Sequence, residues 1–126
     1  MFEKTKATNG FAVDDIDQAK AFYGETLGLK LTVLNEEFGL ISLNLAGGSD
    51  TLVYRKPDFV PATYTILNFE VDDIDAAVDE LGGRGVGFER YEEMEQDEKG
   101  IARGPGPSIA WFKDPAGNIL SVLQRP

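Results

Sequence analysis

The side chains able to do chemistry in this sequence are few, and none is an imidazole or a thiol. Histidine and cysteine are absent, which removes an imidazole base, the Ser–His and Cys–His nucleophile pairs, and the usual nitrogen and sulfur ligands of zinc. Any metal would have to sit on oxygen. Glu70 is a candidate general base, since burial raises a carboxylate toward the useful pKa range; the plainer reading is a solvated carboxylate at a strand end. Asn68 can orient a ligand by hydrogen bonding, or serve as an amide satisfied by neighbouring backbone. Trp111 and Tyr54 offer flat faces for stacking, although aromatics in strands are core more often than site. Arg103, in a glycine-rich stretch, could close its planar fork on an anion or pair with a surface carboxylate. The aspartate pairs Asp14/Asp15 and Asp72/Asp73 resemble a metal cluster, yet each stands just before a helical pattern, where capping is the stronger explanation.

A repeat supplies the elements that position these residues. Residues 11–19, FAVDDIDQA, return 58 residues later as 69–77, FEVDDIDAA, with seven of nine positions identical. Two copies of one unit, each about half the chain, follow from that. In both copies an apolar alternation (Phe11, Val13; Leu67, Phe69, Val71) predicts a strand. The first helix then places Ile16, Ala19, Tyr23 and Leu27 at helical spacing and leaves at Gly28; the second runs Ile74, Ala77, Val78, Leu81 and stops at Gly82-Gly83. Extended segments are expected at 29–34, 39–45 and 51–54 in copy one and at 86–93, 108–113 and 118–124 in copy two, with a turn at Asp114-Pro-Ala-Gly117. The expected architecture is α+β, two tandem βαβββ units. Residues 92–106 form the longest irregular segment, expected to be a solvated loop, with a lid as the minor alternative.

At 126 residues, with 42% hydrophobic and 27% charged, the chain has the profile of one soluble domain spanning 1–126, with unit one at about 6–55, a proline-bounded linker at 56–61 and unit two at about 62–125. Its formal charge of −10 repels phosphate backbones and anionic lipid, so nucleic acid and membrane are not expected partners. Neither a signal peptide nor an apolar run long enough for a span is visible, and a cytoplasmic location is the expectation.

Two βαβββ units, the segment AFYGETLGL at 21–29 and the closing WFKDPAGNILSVL at 111–123 together resemble the vicinal oxygen chelate superfamily of glyoxalase I, extradiol dioxygenases and bleomycin-resistance proteins. The likeness covers about Thr8 to Gln124. It implies sheets curled into open cups with helices outside, a ligand cavity inside, and pairing of units within a chain or across a homodimer. Members that use a divalent metal carry His, Gln or Glu early in a unit's first strand and Glu in its last. The matching positions here are Thr8 and Ile66, then Ser121 in copy two and Val53 or Tyr54 in copy one, so the resemblance carries no metal and no cofactor to this chain. Strand alternation then turns Ile66, Asn68 and Glu70 toward the cup in copy two and Thr8, Gly10 and Ala12 in copy one, with Ile119, Ser121 and Leu123 facing inward from the last strand.

The expected ligand-binding set is therefore Thr8, Tyr54, Ile66, Asn68, Arg103, Trp111 and Ser121, with Glu70 as the one catalytic candidate. Two functions follow from the resemblance. One is metal-independent binding or sequestration of a small organic molecule, as in bleomycin-resistance proteins. The other is a lyase, isomerase or dioxygenase-type enzyme of the same superfamily.

Overall fold

The first apolar alternation becomes strand β1 (Asn9–Val13), with Phe11 and Val13 buried and Asn9 and Gly10 exposed. Asp15 then caps helix α1 (Ile16–Lys20), its carboxylate accepting the N–H groups of Asp17 and Gln18 at 3.0 and 3.1 Å. These positions come from a computed structural model that describes residues 1–126. It divides into two compact units, 1–61 and 62–126, and the division falls at the end of the proline-bounded linker.

In the first unit the helix does not continue as an α-helix through Leu27. Residues Ala21–Thr26 are π-helical, and the Leu27 N–H reaches back five residues to the Phe22 carbonyl at 2.9 Å. Tyr23, fully buried in this segment, packs its ring 5.6 Å from that of Phe11. Strands β2 (Lys30–Asn35), β3 (Leu40–Asn44) and β4 (Asp50–Arg55) follow. The sheet order is β1-β4-β3-β2, with β1 parallel to β4 and the other pairs antiparallel. Ile41, Leu43 and Val53, all fully buried, join Phe11, Val13 and Tyr23 on the helix side. Period-two alternation makes this one apolar face rather than two.

The second unit repeats the order with a difference. Strand β5 (Thr65–Glu70) leads to Asp73, which caps helix α2 (Ile74–Gly83) by accepting the Ala76 N–H at 3.1 Å. Of each aspartate pair, then, the second member is the cap. Strands β6 (Ser108–Lys113) and β7 (Ile119–Gln124) complete a three-stranded sheet of order β5-β7-β6. The Gln124 side chain accepts the Ile74 N–H at 2.9 Å and so ties the start of α2 to β7. Phe11 lies opposite Val53 and Phe69 opposite Val122, so the repeated phenylalanines hold equivalent register positions, the first buried and the second half-buried.

The strand expected at 86–93 is corrected. This stretch makes one isolated bridge, Phe88 to Phe112, plus a hydrogen bond from the Glu89 N–H to the Trp111 carbonyl at 2.8 Å. Gly85 and Gly87 come before the bridged Phe88, and Glu92 and Glu93 end the stretch, residues poorly suited to a pleated ladder. The DPAGN turn behaves as its residues dictate. Gly117 has φ of 95°, open to glycine without steric cost. Buried Asp114 accepts both the backbone N–H and the side-chain amide of Asn118, at 2.8 and 3.1 Å.

Candidate functional site

The open face of the second sheet is set by register. Asn68 lies opposite Ser121, and Ser121 lies opposite Trp111, so the three share a face across β5, β7 and β6, while Leu120, Val122, Ala110 and Phe112 are buried on the other. The Ser121 hydroxyl donates to the Asn68 carbonyl oxygen at 2.5 Å. Two of the expected ligand groups thus satisfy one another. Ile66 is displaced from its expected place by a register shift between Thr65 and Leu67. Such a shift inserts an unpaired residue and re-aims its neighbours. Thr65, not Ile66, lies opposite Ile119 on the open face.

Over this face lies a recess of about 490 Å³, lined by Thr63, Tyr64 and Thr65 at the start of β5, Ile119 at the start of β7 and Trp111 on β6, and by Tyr91, Glu93 and Met94 from the chain that follows Phe88. The volume falls within the range of small-molecule sites. Tyr91 and Trp111 meet edge to face, centroids 5.4 Å apart and planes at 79°, and form a corner of two perpendicular ring walls. Tyr64 and Met94 are exposed at the rim, at 70% and 41%, apolar surface that a ligand can cover.

Tyr91 has no strand to hold it, and one side chain takes that role. Gln96 accepts the Tyr91 N–H at 2.8 Å while its amide donates to the carbonyls of Glu89 and Gly100 at 2.9 and 2.8 Å. Burial pushes the Tyr91 phenol above its ordinary pKa, the Glu89 and Glu93 carboxylates add to the rise, and Lys113 opposes it. The hydroxyl is therefore a neutral donor at physiological pH. The 92–106 stretch is also anchored rather than simply solvated: Ile101 is fully buried, and Ala102 and Ile109 exchange backbone hydrogen bonds at 2.8 and 3.1 Å.

The remaining expected residues lie elsewhere. Glu70 is exposed and paired with Arg125 at 2.5 Å. The guanidinium's hydrogen bond holds its carboxyl below the ordinary value, opposite to the rise that burial was expected to give. Arg103 reaches Asp75 at 2.7 Å and Asp97 at 3.1 Å, and joins the loop to α2. Thr8 is exposed ahead of β1, and Tyr54 is 42% exposed on β4, opposite Ala12 and Leu40, both in the first unit. The register also revises the counterpart of Ser121. Since Phe69 and Val122 correspond to Phe11 and Val53, Ser121 corresponds to Leu52, rather than to Val53 or Tyr54.

These donors do not fit the divalent metal used by some proteins the sequence resembles. Asn68 and Ser121 are engaged with each other, and Leu52, opposite Gly10, has no ligand atom. Nowhere do three acidic side chains converge in a geometry suited to a cation, and such an ion needs several donors at about 2.0–2.3 Å.

Of the recess, sequence reasoning found Trp111 and the inward parity of Ile119. It missed Tyr91, Glu93 and Met94, because they sit on a segment whose sequence carries no periodic signal, and it missed Thr65 because a register shift leaves no mark in composition.

Comparison with known proteins agrees with the fold. No curated protein matches the chain. Among solved structures it is similar to a glyoxalase family protein from Bacillus anthracis, at 22% identity and TM-score 0.72 with all of both chains covered. TnmS3, an antibiotic binding protein from Streptomyces sp. CB03234, is similar at 25% identity and TM-score 0.72 over 98% of each chain. A lactoylglutathione lyase from Agrobacterium tumefaciens is similar at 23% identity and TM-score 0.65, over 97% of this chain and 95% of that one. The family model for Glyoxalase/Bleomycin resistance protein/Dioxygenase superfamily matches residues 7–122, and the chain belongs to that superfamily.

Proposed function

We propose that the protein binds and sequesters a small organic molecule, without a metal ion, in the recess of the second unit. The observation that carries this reading is the perpendicular Tyr91–Trp111 corner. A ligand stacked on one ring presents its edge to the other, and Met94, Ile119 and Tyr64 add apolar area. Area of this kind supplies affinity while a few polar groups fix orientation. Here the neutral Tyr91 hydroxyl and the Thr63 and Thr65 side chains are available for that. The antibiotic-binding relative supports binding over catalysis for this chain, as does Glu70, whose pairing with Arg125 suits a fixed anion better than a proton acceptor.

In this reading the protein acts as a homodimer in the cytoplasm. The outer edges of β1 and β5 carry no strand partner, and exposed edges are commonly covered by association. A cysteine-free, acidic chain suits a reducing compartment, and no helix is long and apolar enough to cross a membrane. Sedimentation at rising concentration tests the dimer.

Trp111 is the only tryptophan, so its fluorescence reports the recess directly. Acridine, added at mildly alkaline pH where it is uncharged, is expected to quench that emission saturably, and to do so equally in chelator-treated protein. Met94→Glu, which places a charge on the rim, is expected to weaken the quench. Absence of saturable quenching, or its loss on metal removal, contradicts the proposal.

A further inference from the structure

The recess carries a charge pattern that narrows its ligand. No lysine or arginine lines it, and its one ionisable lining group besides the tyrosines is Glu93. That carboxylate is exposed and enters none of the chain's ion pairs, whereas the neighbouring cation, Lys113, is engaged by Glu89 at 3.4 Å. Three π systems, Tyr64, Tyr91 and Trp111, stand around the same space, two of them perpendicular. Ring faces are electronegative and attract cations, tryptophan most strongly, and perpendicular rings let a cation meet more than one face. A chain of net charge −10 also raises the local concentration of positive solutes.

We infer that the ligand of this recess is an aromatic organic cation, whose ring system stacks in the Tyr91–Trp111 corner while its positive centre lies toward the Glu93 carboxylate. The inference rests on the binding function proposed above and specifies the ligand's charge. Electrostatics here select among molecules of equal apolar area: an anion of the same shape meets one carboxylate and three negative ring faces, and the nearby cation, Lys113, is outside the lining and already paired with Glu89.

The test is a Trp111 quenching titration with three probes of nearly constant shape: N-methylacridinium, uncharged acridine and acridine-9-carboxylate. The cation is expected to bind about 5–10-fold more tightly than acridine, and the anion most weakly of the three. Glu93→Gln, an exposed substitution that leaves the core untouched, is expected to narrow the cation-to-neutral ratio about threefold. Added salt is expected to narrow it in the same direction. Equal or tighter binding of acridine or of the carboxylate overturns the inference and leaves the binding function standing. An unchanged ratio in Glu93→Gln overturns the placement of the positive centre. Failure of all three probes to bind overturns the binding function and this inference together.

Discussion

The two units begin alike and end differently. Both run from an alternating strand into an aspartate-capped helix, and both place a parallel strand beside the first. In the first unit the sheet is completed by β2, paired with β3 over five register positions. In the second, the corresponding place is held by two isolated bridges to β6, Phe88 to Phe112 and Ala102 to Ile109, and the chain between them is fixed by side chains, with Gln96, Arg90 and Asp97 bonding backbone groups of the loop. A ladder fills the edge of a sheet evenly; a loop pinned at a few points leaves room between the pins. That loop supplies one wall of the recess, at Tyr91, Glu93 and Met94, so the two copies keep the same buried core and differ in the segment that could serve a ligand.

Equivalent core positions are expected to respond alike. Phe112 and Leu43 hold matching register places, and both are fully buried. Phe112→Ala is expected to cost about 3–5 kcal/mol and Leu43→Ala about 2–5 kcal/mol, from lost burial and the cavity left behind. Urea unfolding measures both; a loss under about 1 kcal/mol at either site breaks the equivalence.

Edge substitutions are expected to separate the units. Gln96→Met keeps the bulk but removes three hydrogen bonds at about 1 kcal/mol each. Amide exchange at Tyr91 is expected to accelerate by roughly tenfold or more, with little change in the first unit, and acridine binding is expected to weaken. Exchange at Tyr91 equal to that of the native protein shows that the loop holds its shape by other means.

The helix starts give a smaller comparison. Asp15→Ala and Asp73→Ala are each expected to cost about 1 kcal/mol, whereas Asp14→Ala and Asp72→Ala fall within about 0.5 kcal/mol, since only the second aspartate of each pair accepts helix N–H groups. Matching costs at all four positions would mean that charge near the helix end matters more than the cap bond.

Much of this was legible beforehand because it is periodic. The 58-residue repeat, the apolar alternation and the aspartates before each helix revealed the tandem units, and the DPAGN turn followed from the φ that Gly117 can adopt. The π-helical turns after Lys20 leave no such trace, since apolar spacing of three to four residues suits either helix. Ile66 was misplaced by the shift at the start of β5, and the strand expected at 86–93 was read from isolated apolar residues that form a single bridge. Tyr91 and Met94 stayed hidden because what brings them to Trp111 is Gln96, a contact between side chain and backbone that no local pattern announces.

The smallest expected effect concerns acid. The Arg103 hydrogen bond holds Asp75 below its ordinary pKa of 3.8. A carboxylate lowered in the folded state contributes stability above its unfolded pKa and loses it as pH falls through the folded one. Amide exchange in residues 97–103 is therefore expected to rise modestly below about pH 4, and Arg103→Gln is expected to reduce that pH dependence without removing it, since the Lys99 and Ile101 N–H groups still lower Asp97, while leaving β6 and β7 protected. An unchanged acid response in the variant assigns it to other groups.

On the reading proposed above, a small molecule binds over the open face of the second unit's sheet, between β5–β7–β6 and the Tyr91–Met94 segment. An NMR titration with acridine tests it most directly, because the chain has a single indole N–H. The account predicts saturable shifts of the Trp111 indole, with companion changes at Tyr64, Tyr91 and Met94 and none at Tyr54. Shifts that leave the indole in place and gather on the first unit would contradict it.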